Sequence, residues 1–160
     1  MTGFLRFVFQ TSKWTNVLGG VFLTLLMLLT VADVILRSSG KPIVGSFELV
    51  AFSGALVLGF SMPLTSWVRG HIYVDFLILK LPASARKVFH LFTRFLGMGL
   101  FFLIGWNLIK MGTDLQRSGE VSLTLQMPFY PVVYGVGICC FIQCLVLAGD
   151  AVKIFGDQYE

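Results

Sequence analysis

The side chains in this chain that could do chemistry are few, and they do not form sets. There are two histidines, His71 and His90, and three cysteines, Cys139, Cys140 and Cys144. The three thiols crowd into one apolar run without a histidine at metal-ligand spacing, so they read as inert buried sulfhydryls. Axial ligation of a haem would need His, or His and Met, facing each other from helices. His71 instead falls in a connector, and His90 falls on a basic stretch. No glycine-rich phosphate loop and no Ser/His/Asp or Cys/His combination is present. Nothing here suggests an enzyme, a cofactor or a bound metal.

The charged residues say more by where they stand. Charged residues make up 12% of the 160 positions and hydrophobic ones 56%, where a soluble domain carries about 25% charge. Such an apolar excess is compatible with lipid as the solvent. The net charge of +4 is not a nucleic-acid footprint, because the basic residues cluster at the ends of apolar runs rather than in a stripe. No Asp, Glu, Lys, Arg or His lies within Trp14–Ala32, Leu49–Val68, Phe95–Ile109 or Phe129–Gly149. Ionisable groups at mid-membrane depth mark ion paths and substrate sites. Their absence argues against a chain that moves charged cargo alone.

These runs predict an all-α integral membrane protein of one domain, residues 1–160. The four transmembrane helices are expected near 14–36, 47–68, 86–110 and 128–149, arranged as two hairpins. The first run is long for the apolar core of a cleaved signal peptide, so it is expected to be retained. Between the hairpins, Arg69–Arg94 holds five of the twelve Lys and Arg residues. Residues 70–82 within it are too short to span and are expected to lie in the headgroup plane as an interfacial amphipathic helix. Counting Lys and Arg gives eight on the proposed inner segments and four on the outer ones, which places the connector and both termini in the cytoplasm.

Small residues suggest how the helices pack. Ala51, Ala55 and Gly59 recur at every fourth position of the second span. Gly97, Gly105 and Gly112 fall near one face of the third. Such stripes let helix backbones approach closely in lipid. Asp33 and Arg37 are spaced i, i+4 at the end of the first span and can pair.

The segments ILRSSGKPIVGSFELVAF and RGHIYVDFL, with Arg37, Gly45, Glu48, His71 and Asp75 in that order within a four-span layout, resemble the small membrane subunit of tripartite ATP-independent periplasmic (TRAP) transporters, the DctQ-like family. The resemblance covers nearly the whole chain. It implies a bacterial inner-membrane protein that partners a large, DctM-like membrane subunit. That large subunit binds sodium and an organic acid anion such as a C4-dicarboxylate or a sialic acid, and carries the anion by an elevator motion. A periplasmic substrate-binding protein delivers the anion. The small subunit then binds neither substrate nor sodium and enlarges the static scaffold.

In that frame Arg37 and Glu48 are expected to pair near the outer surface, with Asp33 as the rival partner for Arg37. His71 and Asp75 would fix the angle of the interfacial helix. Arg86, Lys87 and Arg94 would contact lipid phosphates. The alternative function is a four-helix membrane anchor of a redox complex, which a Soret band in the purified protein would reveal. The identity of the anion and the faces that meet the large subunit are not written in these residues.

Overall fold

The computed structural model describes residues 3–68 and 82–155, excepting the side chains of 83–85, 87, 153 and 155. Four helices carry the described residues: α1 (Gly3–Ser38), α2 (Ser46–Trp67), α3 (Ala83–Ser118) and α4 (Tyr130–Phe155). All four are long and apolar enough to cross a membrane. The expected interfacial segment 70–82, with His71 and Asp75, lies outside the described residues except for Pro82, which is extended where α3 begins.

The helices run past the expected spans. α1 and α3 each have 36 residues, about 54 Å of helix against a hydrocarbon core of about 30 Å. Their ends must protrude or the helices must tilt. The first residues of α1 pack into the bundle: Leu5, Val8 and Ser12 are buried, and Phe9 packs its ring on Trp67 at 5.7 Å. α3 runs past the expected 110, through Gly112 and Asp114. It stops at Gly119, whose φ of 66° takes the left-handed turn that closes many helices. α1 stops by the same chemistry with a second pair of bonds. Lys41 N–H donates to Leu36 O at 2.9 Å and Gly40 N–H to Arg37 O at 3.1 Å, so the last carbonyls of the helix are satisfied.

Contacts fix the directions. Phe9 of α1 lies on Trp67 of α2 and Gly19, ten residues on, lies against Phe60, so α1 and α2 run antiparallel. Gly97, Gly105 and Gly112 of α3 meet Leu147, Phe141 with Cys140, and Tyr134 of α4 in descending order, so α3 and α4 are antiparallel too. α2 and α4 run parallel, from Phe52 on Phe129 to Ser66 on Gln143. α4 packs against all three other helices and is the most buried of them. α3 leans chiefly on α4.

Elsewhere the surface is apolar, with Val21, Leu28 and Val34 of α1 and Phe92, Leu96 and Leu103 of α3 exposed. Small polar side chains inside the helices bond back to their own backbone. Thr24 donates to Gly20 O at 2.9 Å, Ser61 to Val57 O at 2.7 Å and Asn107 to Leu103 O at 2.8 Å. Within hydrocarbon there is no water to satisfy them otherwise.

Candidate functional site

At the end of the bundle where α1 stops and α2 starts, two carboxylates hold the connecting loops. Asp33 is buried on the last turns of α1. Its Oδ2 accepts from the Arg37 guanidinium at 2.6 Å, and its Oδ1 accepts from the Ile43 backbone N–H at 2.9 Å. One side chain thus ties the 39–45 loop to the helix it leaves. The expected Arg37–Glu48 pair is not formed, and the rival partner takes Arg37. An i, i+4 spacing on one helix brings Asp33 and Arg37 together without ordering a second element.

Glu48 does different work, on the first turn of α2. Its Oε2 accepts from the Ser122 hydroxyl at 2.7 Å and from Leu125 N–H at 2.9 Å, and its Oε1 accepts from Thr124 N–H at 2.8 Å. Three donors of the α3–α4 loop converge on one carboxylate. The loop is closed on itself as well: Ser122 N–H donates to Met127 O at 2.9 Å, Met127 N–H donates to the Ser122 hydroxyl at 3.2 Å, and Val121 bridges Pro128. Glu48 also stands at the positive end of the α2 dipole, a favourable place for an anion. Gly45 completes the joint. It has a φ of +75°, and the Leu125 side chain occupies the space that a Cβ there would need. Both the backbone twist and the close approach call for glycine.

At the opposite end a second polar cluster joins α2, α3 and α4. The Gln143 amide donates to the Ser66 hydroxyl at 2.6 Å, both buried. Arg94 of α3 reaches Asp150 of α4 at 3.6 Å, and Asp150 is 1% exposed. This changes one expectation and extends a boundary. Arg94, assigned to lipid phosphate, turns inward to a carboxylate. Asp150 lies past the expected end of the fourth span at 149, and α4 continues through it to Phe155. A signal for it was present: a carboxylate in the last turns of a helix faces the negative end of the dipole and calls for a cation. Arg86 is half-buried, the side chain of Lys87 is outside the described residues, and His90 is half-buried on α3.

The small residues divide. Gly97, Gly105 and Gly112 all lie under side chains of α4, with the Tyr134 ring 2.7 Å from where a Gly112 Cβ would stand. Gly59 lies 3.3 Å under Val136 by the same measure. Ala55 is half-buried and Ala51 is exposed. Near Ala51 it is Phe52, one position round the helix, that meets Phe129, the residue just ahead of α4. Cys139 and Cys140 are buried and free, and the Cys144 thiol faces Met98 O at 3.5 Å. Among the described residues no three His, Cys, Asp or Glu side chains assemble as a metal site. What the arrangement can do is mechanical: carboxylates lock loops and ends, and glycines bring helices close.

A family model described as tripartite ATP-independent periplasmic transporters, DctQ component, matches residues 26–156. No significant match to a curated protein or to a solved structure was found.

Proposed function

The chain belongs to the DctQ component family of tripartite ATP-independent periplasmic transporters, and from that premise we propose that it is a scaffold for the large membrane subunit and binds no substrate itself. The family match over residues 26–156 carries the reading. Two features of the chain support the scaffold role. Its four apolar runs hold no Asp, Glu, Lys, Arg or His, so they place no full charge at mid-depth to hold an anion or a cation. Its fastening is concentrated at the two ends of the bundle, where Glu48 and Asp150 sit.

In this reading the large subunit binds sodium and an organic acid anion, and a periplasmic binding protein delivers the anion. The chain lies in the bacterial inner membrane with both termini and the Arg69–Arg94 connector in the cytoplasm, as the basic residues favour. An elevator needs a part that does not travel with its cargo, and added helices widen the area that grips the bilayer. The chain needs no cofactor of its own.

The test is reconstitution. Vesicles holding this chain alone should show no sodium-driven uptake of an organic anion with the binding protein present. Vesicles holding both membrane subunits should show uptake, and omitting this chain should abolish it while the binding protein still takes up its ligand. Uptake by this chain alone, or undiminished uptake without it, would overturn the proposal.

A further inference from the structure

Two adjoining hollows lie along α3. The deeper is a cleft of about 340 Å3 between α2 and α3 that α4 also lines, with Ala55 and Met62 of α2, Phe101 and Leu108 of α3, and Val136 and Cys140 of α4 among its walls, and it is almost wholly apolar. The outer is an open groove of about 780 Å3 toward the end of α3. Ile104 and Leu108 line both, so the two are continuous. The groove is apolar on its inner part and carries Lys110, Asp114 and Glu120 on its outer part. We propose that this continuous groove is a phospholipid site in the leaflet on the Glu48 side, taking one acyl chain in the cleft and a headgroup bearing a phosphate and a primary ammonium at Lys110, Asp114 and Glu120. The inference goes beyond the transport reading and does not depend on it.

Length suits an acyl chain. The cleft runs over seven residue steps on each helix, from Ala55 to Met62 and from Phe101 to Leu108, which is about 10.5 Å. Depth agrees. Phe101 and Lys110 stand nine residues apart on α3, about 13.5 Å, and one leaflet's share of the hydrocarbon core is about 15 Å.

Charge selects the headgroup. Lys110 offers a cation to a phosphate, with its Nζ 5.6 Å from the Trp106 ring, an aromatic of the kind favoured at headgroup level. Asp114 stands one turn further out and Glu120 just past the helix end, and both suit an ammonium. Lys110 and Asp114 have the i, i+4 spacing that allows pairing. Yet among the described residues Lys110 pairs with neither Asp114 nor Glu120. A headgroup with both signs complements this row, and an anionic one meets two carboxylates.

The full chain, purified and stripped of lipid, can be reloaded from vesicles of phosphatidylethanolamine, phosphatidylcholine or phosphatidylglycerol, and its retained lipid counted by native mass spectrometry. One phosphatidylethanolamine per chain is expected, retained about fivefold better than either competitor, the size of a modest charge-assisted preference. The Lys110→Gln, Asp114→Asn double variant should keep its helix content and lose the headgroup preference. Ala55→Phe should lower retention of every headgroup, and Ile104→Trp, at a half-exposed position, provides the same test if Ala55→Phe fails to fold. Equal retention of the three lipids by the unaltered chain, or a preference that survives in the double variant, would overturn the proposal. So would a cysteine at Ile104 that cross-links to another protein chain in the intact transporter, since that would make the groove a seat for protein.

Discussion

Glu48 gathers three donors from a loop more than seventy positions further along the chain, and its chemistry sets what a small change there should do. In Glu48→Gln one carboxylate oxygen becomes an NH2, which meets an N–H or O–H donor instead of accepting from it. Hydrogen bonds to a charged acceptor contribute about 1.5–3 kcal/mol each, so the variant should lose about that much stability. Hydrogen exchange gives the local signature. The Thr124 and Leu125 amides should exchange faster while the Ile43 amide, held by Asp33, should not change. Unchanged exchange at 124 and 125 would show that the loop is held by its own bonds. Asp150 makes a second case. Breaking a buried ion pair from one side costs about 3–5 kcal/mol, and Arg94→Met should approach the low end because the contact is long at 3.6 Å. Arg94→Met combined with Asp150→Leu should cost less than the sum of the two single changes, which a thermal-unfolding cycle would measure. Strict additivity would mean that the two side chains do not act on each other.

Between elements the glycines decide how near the backbones come. A methyl at Gly105 would stand 3.2 Å from Phe141, 3.3 Å from Cys140 and 3.3 Å from Gly137 O. Gly105→Ala should therefore push α3 off α4 and cost about 1–3 kcal/mol, as overpacking does. Gly99, six residues earlier on the same helix, has nothing within 4 Å. Gly99→Ala should be neutral or stabilise by up to about 1 kcal/mol, since alanine is the better helix former. The opposite signs are the test, read as melting temperatures in one detergent.

Much of this was legible in the chain. Four uncharged runs separated by turn residues announce four helices, and Gly97, Gly105 and Gly112 announce a seam, because helix periodicity is local. Asp33 and Arg37 were legible as a possible pair for the same reason. The partners of Glu48 and Asp150 were not, because they lie far along the chain and only the folded bundle brings them together. Asp150 was also masked by its setting in a polar-looking ending, although its place on a helix C-terminus calls for a cation.

For the molecule as a whole, the polar fastening sits at opposite ends of an apolar bundle. Glu48 and Ser66 are eighteen residues apart on α2, about 27 Å, with the α3–α4 loop locked at the first and Gln143 at the second. Sites that far apart, sharing no partner among the described residues, should act independently. Glu48→Gln and Arg94→Met combined should therefore lose the sum of their separate costs, within about 0.5 kcal/mol. The functional consequence follows from the proposed scaffold role. A static frame transmits no substrate chemistry, so loosening either end should lower the rate of uptake by the assembled transporter. The concentration of binding protein or anion giving half the maximal rate should stay where it was. Measuring uptake rate and half-saturation for each single variant and for the pair would separate a frame from a binding element. A shifted half-saturation with an unchanged maximal rate would place this chain at the substrate path after all.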